Sequence, residues 1–462
     1  MKAPTPVALA SRARFFAWAM LYALVMLYAS TVPSPAGFFI RPLTFDEALL
    51  KFQATRWWIN GSDQRADWTA NLLLMMPLAF MVAGALWPRR WVAWRLPAML
   101  LALGISVAYV LGVKFAQIFF PRTVSINYIV AQSTGAAIGV LLFAFGHRAL
   151  AHGVLLLRGG GTRGLLVLLG LLSFGACAYA LVPFDLVLSR DDAVERVASL
   201  RQSLFAVPGA GRPALVRAAV LGGGALLGVP IGMLLEAWAP GRPVALIAAG
   251  GLVAMAALTL LSMFVISTNP TLLAIPLRAT GLMAGALLLR AMAGRDPTPL
   301  RQAARRWAPW LALPYVLLLL ELNGLLSLSW RAWAAASEGL GDPKRLFPLF
   351  TYYNISKAQA TASLVVHAAM YAPAGLLLWA ASRDGARIGR RAALLGLLLA
   401  SGIEFGRMLK PGLVVDINNP AVGLIAAWLG AYLAPSIWAM MSGARRLVDA
   451  APMRHAPFAR IL

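Results

Sequence analysis

A chain of 462 residues that is 60% hydrophobic and only 13% charged falls outside the soluble globular norm, in which about a quarter of residues are charged. The formal net charge of +24 suggests nucleic acid, but no basic run is interleaved with the aromatics of a binding groove, so nucleic acid is set aside as a partner. The single cysteine, Cys177, excludes intrachain disulfides and cysteine metal clusters.

Crossing a hydrocarbon core takes roughly 20 apolar residues as helix, and in lipid a helix satisfies its own backbone polar groups. The sequence therefore predicts an all-α fold, a polytopic membrane protein of about twelve transmembrane helices. They are expected at 15–33, 68–87, 96–119, 125–146, 165–183, 214–237, 244–267, 271–290, 309–328, 361–381, 391–409 and 417–440. The first run is too long for a signal peptide and is followed by no clear cleavage site, so it is read as a retained span.

These helices group as three sets of four, giving expected units at 1–155, 156–300 and 301–462. Each set has a long connection after its first helix (34–67, 184–213, 329–360) and a short one before its fourth, at Pro121, Pro270 and Pro411. Seven residues before these prolines stand Lys114, Met263 and Glu404; six before, Phe115, Phe264 and Phe405; four before, Gln117, Ile266 and Arg407. The segments run on to Gly135, Gly281 and Gly423. The second helices repeat a spacing of six: Asn71 to Pro77, Gly224 to Pro230, and His367 to Pro373. Self-similarity at a fixed period is a fold-level signal, and the middle copy, with the fewest polar residues, reads as scaffold.

Basic residues at the ends of the runs set the expected topology. With the N-terminus in the cytoplasm, Arg12, Arg14, Arg89, Arg148, Arg242, Arg301, Arg390 and Arg445 all fall on the inner side. The three long connections then lie outside with acids such as Asp46, Asp191 and Glu338, and the C-terminus is cytoplasmic as well.

Ionisable side chains within spans are candidate functional residues, because each costs about 3 kcal/mol at the bilayer centre unless paired or facing a cavity. They are Lys114, Arg278, Glu321, His367, Glu404 and Arg407, with Asp67, Asn71, Gln117, Asn127, Asp416, Asn418 and Asn419 near the outer ends. Residues three apart share a helix face, so Glu404 can pair with Arg407. The opposite charges of Lys114 and Glu404 at equivalent positions predict that the two meet, either as a structural ion pair or as a substrate site. His367 has no second histidine or carboxylate nearby in sequence, so no metal site is expected, and no cofactor motif is present. Asp67 reads equally as a helix cap, and Arg278 as a headgroup ligand or a snorkelling side chain.

In combination these residues resemble the VanZ-like family, whose unit has an Asn-containing helix ending in Pro-Leu-Gly-Phe, then Glu-x-x-Gln, an Arg-bearing loop, and an Asp/Asn helix start running into Gly-x-x-x-Gly. The first copy keeps Asn71, Pro77, Phe80, Gln117, Arg122, Gly135 and Gly139, with Lys114 in place of Glu. The third keeps Pro373, Gly375, Glu404, Asp416 and Asn419, with His367 for Asn and Arg407 for Gln. The resemblance implies a bacterial inner-membrane protein of the cell envelope, in a family associated with glycopeptide resistance, and no settled reaction.

The leading expectation is a non-catalytic protein that binds or moves an amphiphile such as a lipid-linked glycan, through Asn71, Lys114, Gln117, Arg122, His367, Glu404, Arg407, Asp416 and Asn419. Its partners would be membrane lipids, and lipid-linked glycan or envelope-assembly proteins. Two alternatives stand: a membrane enzyme of glycan assembly using Asp67 or Asp416, and a structural subunit of an envelope complex.

Overall fold

A computed structural model describes residues 11–31, 40–57, 62–88, 92–159, 161–182, 184–211, 213–238, 241–292, 297–333, 347–353, 355, 357–382, 388–413 and 415–443. In chain order the helices are α1 (Arg12–Thr31), α2 (Phe45–Gln53), α3 (Ser62–Leu86), α4 (Arg95–Gln117), α5 (Ile126–Gly159), α6 (Gly161–Leu181), α7 (Arg190–Ser203) and α8 (Ala214–Leu226). They continue as α9 (Val229–Trp238), α10 (Val244–Met263), α11 (Ala274–Met292), α12 (Pro297–Leu322), the single turn α13 (Phe350–Tyr353), α14 (Lys357–Ala381), α15 (Ile388–Met408) and α16 (Asn418–Gly443). Among the described residues there is no strand, only an isolated bridge between Leu186 and Val265.

The chain forms two compact units. One comprises Met1–His152, Pro183–Asp185 and Asp342–Gln359, the other Gly153–Val182, Leu186–Gly341 and Ala360–Leu462. The core of the first is built from Met75, Leu78 and Ala79 of α3, Val110 of α4, and Ala136, Val140 and Phe143 of α5. In the second, Leu282 and Ala286 of α11 pack with Ile247 of α10, while Tyr371, Ala400, Ile403 and Ala426 join α14, α15 and α16.

Helices form at all twelve expected places, and nine helical stretches among the described residues, Ala214–Trp238 counted as one, are long and apolar enough to cross a membrane by length and composition. Large apolar side chains stay exposed along their flanks, Phe145 and Leu398 among them, as expected where lipid takes the place of water. α12 begins at Pro297, well before the expected 309, because proline is tolerated in the first turn, where its missing N–H would have had no partner. The helix expected at 214–237 is broken into α8 and α9 at Leu227–Gly228. Gly222, Gly223, Gly224 and Gly228 weaken it, and Pro230 removes a donor. Pro77 and Pro373 sit inside unbroken helices.

Two of the long connections, expected as loops, contain helices with complete capping boxes. At α2 the Thr44 amide donates to Glu47 Oε2 at 2.8 Å and the Glu47 amide to Thr44 Oγ1 at 3.3 Å. At α7 the Ser189 amide donates to Asp192 Oδ2 at 2.9 Å and the Asp192 amide to Ser189 Oγ at 3.1 Å. Each box satisfies two of the amides that a helix start leaves unpaired. Phe45 and Phe52 hold α2 on Phe115 of α4, with ring centroids 5.5 and 5.7 Å away. α7 is held by buried Arg196, which donates to the carbonyls of Met263 (2.8 Å), the last residue of α10, and of Ile266 (3.0 Å) and Thr268 (2.7 Å) beyond it.

Three kinds of contact recur along the chain. First, a backbone amide of each long connection donates just beyond a helix end: Arg41 to Phe119, Val187 to Phe264, and Arg331 to Leu409. Second, the carbonyl preceding the helix proline abuts a glycine: Met76 against Gly139, Val229 against Gly285, and Ala372 against Gly430, where any Cβ would collide with that oxygen. Third, the Tyr22 hydroxyl donates to Leu74 O at 2.9 Å and the Tyr315 hydroxyl to Met370 O at 2.7 Å, each three residues before the proline. Nearer the starts of the same helices, Arg12 Nε donates to Trp87 O at 3.0 Å, and Arg301 Nη2 to Trp379 O at 3.1 Å.

Candidate functional site

Polar residues gather at two helix corners, one in each unit. At the α15–α16 corner the buried Glu404 carboxylate is fully engaged. Arg407 Nη1 (3.0 Å) and Asn419 Nδ2 (2.7 Å) donate to its Oε1, and the Asp416 amide (2.8 Å) donates to its Oε2. Asp416 Oδ1 accepts from the Asn418 amide at 2.9 Å and from Asn418 Nδ2 at 2.6 Å, which caps the start of α16. Lys410, 2% exposed, donates to Ser327 O and lies over the Trp330 ring, 3.7 Å from its centroid. Cation and anion are both matched here; among the described residues around Glu404, the buried Asn419 Oδ1 and Tyr371 hydroxyl lack a partner.

The α4–α5 corner of the first unit has the same layout and a different chemistry. Lys114, 4% exposed, stands where Glu404 stands in the other corner. It makes no hydrogen bond or salt bridge among the described residues, and its ammonium lies 5.5 Å from the centroid of the Tyr128 ring. Asn127, like Asn419 the second residue of its helix, is 1% exposed, and neither its Oδ1 nor its Nδ2 has a partner. Gln117 donates through Nε2 to Ser30 O at 2.8 Å and leaves Oε1 unpartnered, as is Ser125 Oγ. Arg122 Nη2 donates to Ala29 O at 3.2 Å. A buried polar group without a hydrogen bond costs about 1–3 kcal/mol, and a buried unpaired charge more, so orphans concentrated at one corner need an explanation.

Beside this corner α3 supplies a satisfied chain. Asn71 Nδ2 donates to Asp67 O at 2.7 Å, Gln132 Nε2 to Asn71 Oδ1 at 2.8 Å, and the Tyr128 hydroxyl to Asp67 Oδ2 at 3.3 Å. His367, at the place equivalent to Asn71, makes the same backward contact, its Nδ1 lying 2.7 Å from Ser363 O. A carbonyl only accepts, so Nδ1 carries the proton. His367 is a helix-internal residue there, and Ser363 Oγ also lies 3.2 Å from the same Nδ1. The sequence reading missed Tyr128, Gln132, Ser125 and Lys410. Tyr128 and Gln132 lie 61 residues from their α3 partners, and no periodicity announces them.

Packed helices with exposed apolar flanks and buried charges at their ends fit a multi-pass membrane protein. Residues 15–147, which span α1, α3 and α4 and most of α5, match the family described as VanZ/LLP1, and this supports a VanZ-like relationship for that segment. No curated protein and no solved structure matches the chain.

Proposed function

We propose that the chain is a VanZ-like integral protein of the bacterial inner membrane, made of three tandem four-helix units, and that its α4–α5 corner takes the anionic headgroup of an amphiphilic envelope molecule. The observation that carries the ligand reading is the buried Lys114, which makes no hydrogen bond or salt bridge among the described residues, together with the orphaned amide of Asn127 in the same corner. A ligand anion would neutralise the first and hydrogen-bond the second, whereas in the α15–α16 corner Glu404 already meets Arg407 and Asn419. The triplicate reading is supported by the glycine contacts of Met76, Val229 and Ala372, and with it a count of twelve spans and cytoplasmic termini. The Lys114–Glu404 pairing is not needed to account for Glu404, whose oxygens are occupied within their own corner. Asp416 caps a helix through Oδ1, which weighs against its use as a catalytic base.

The test is native mass spectrometry of the full chain released from membranes in a mild neutral detergent. Bound amphiphile should be seen on the wild type and fall by more than about tenfold in Lys114→Met and in Asn127→Leu, since removing a buried charge partner typically costs over 2 kcal/mol of affinity. Equal occupancy in folded Lys114→Met protein would sink the reading.

A further inference from the structure

The α10–α11 corner carries a third polar site, in the copy that the sequence reads as scaffold and in which it singles out Arg278 alone. It encloses a cavity of about 490 Å³ between the end of α7, α8, the end of α10 and the start of α11. That volume lies within the roughly 300–1,000 Å³ of small-molecule sites and is far larger than a bare ion needs. Ser203, Thr271 and Arg278 line it, and each presents a buried atom with no hydrogen-bond partner: Ser203 Oγ, Thr271 Oγ1 and Arg278 Nε. Thr271 is 8% exposed, so its orphan hydroxyl is not turned to bulk solvent.

The other lining hydroxyls are accounted for. Thr259 donates to Met255 O at 2.8 Å and Ser262 to Thr259 O at 2.7 Å, both within α10. No carboxylate lines the cavity, and Arg278 makes no ion pair among the described residues. The α11 start adds the positive end of a helix dipole. Ala206, Val220 and Leu277 supply an apolar wall beside these donors. Donors and a cation on one side and hydrocarbon on the other are the complement of a phosphorylated amphiphile.

We propose that this cavity binds an anionic phosphoryl group, with Arg278 as its counter-ion and Thr271 and Ser203 as hydroxyl donors. The site shares no residue with the α4–α5 corner, so either can fail without the other.

The experiment uses the full chain in phosphatidylcholine nanodiscs doped with phosphatidylglycerol, with retained lipid counted by native mass spectrometry. A parallel arm titrates inorganic phosphate against the thermal unfolding midpoint. Wild type should retain phosphatidylglycerol, Arg278→Gln should lose about tenfold of it and Thr271→Val a few-fold, as expected for losing a charged and a neutral hydrogen bond. Arg278→Lys should fall between. A phosphate-dependent midpoint shift without lipid retention, abolished by Arg278→Gln, assigns the site to soluble phosphate; lipid retention assigns it to a headgroup. Arg278→Gln and Thr271→Val proteins that unfold at the wild-type temperature and respond like wild type in both arms would overturn the proposal.

Discussion

The α4–α5 and α15–α16 corners are drawn from one plan, with an ionisable residue seven positions before a proline and an asparagine at the second position of the next helix. Glu404 is enclosed by donors from Arg407, Asn419 and the Asp416 amide, so its corner is complete as it stands. Lys114 reverses the charge at that place, and with it go the reasons for Asn127 to have a partner, leaving both ends of the amide unbonded. One substitution of charge thus separates a corner whose carboxylate is enclosed by donors from one whose ammonium makes no hydrogen bond or salt bridge among the described residues. On the reading proposed above, the difference also separates stability from binding: the first corner gains from its own contacts, and the second bears a cost that a bound anion would offset.

The largest effect that bears on this contrast is at the charged residues themselves. Glu404→Ala should destabilise the protein by about 3–5 kcal/mol, because it strands Arg407, Asn419 and the Asp416 amide in a buried site. Lys114→Met should be neutral or stabilising while abolishing ligand retention. Reversible unfolding in mixed micelles measures both, and equal losses of stability would erase the distinction between the corners.

Next come the glycine contacts on which the proposed triplicate rests. Gly139→Ala and Gly285→Ala each set a methyl group against a backbone carbonyl, of Met76 and of Val229, and should cost about 1–3 kcal/mol. At Gly104 a Cβ meets nothing within 4 Å, so Gly104→Ala should instead stabilise α4 by up to about 1 kcal/mol. Unfolding midpoints that did not separate these substitutions would remove the close approach as a common device. Smaller still, Tyr22→Phe and Tyr315→Phe delete equivalent hydrogen bonds to Leu74 and Met370 and should each cost about 1 kcal/mol. Unequal costs would mark the two as unrelated packing details.

Much of this was legible in the chain. The spacing from Asn71, Gly224 and His367 to their prolines located the second helices, and the prolines at 121, 270 and 411 located the corners. The sequence carried the third segment on to Gly423, which the structure sets against Gly396 of α15, while the carbonyl contact made by Gly139 and Gly285 falls in the third segment to Gly430. Counting from a proline carries no knowledge of how many loop residues precede the next helix. The orphaned state of Asn127 was also out of reach, because a missing partner is a property of packing and no residue type records it. The helices in the connections were readable and were passed over: Thr44-x-x-Glu47 and Ser189-x-x-Asp192 are capping boxes in plain sequence.

Those two boxes give the smallest expected effect and the sharpest comparison outside the membrane-spanning segments. The hydrogen bonds from the Thr44 amide and hydroxyl hold the fully exposed Glu47 carboxyl below its usual range, with Lys51 assisting. A carboxyl lowered in the folded state contributes stability above its unfolded pKa, and that contribution is lost as pH falls through the folded value. α2 should therefore lose amide protection, after correction for intrinsic exchange, as pH drops from 6 to 3. Glu47→Gln should flatten this dependence, since glutamine completes the box without titrating, and Thr44→Ala should lower protection at every pH. α7 provides the control: Arg196 ties it to three carbonyls at and beyond the last residue of α10, so it should stay protected over the same range. If α2 in Glu47→Gln titrates as the wild type does, the box does not govern α2, and its hold on α4 belongs to Phe45 and Phe52 alone.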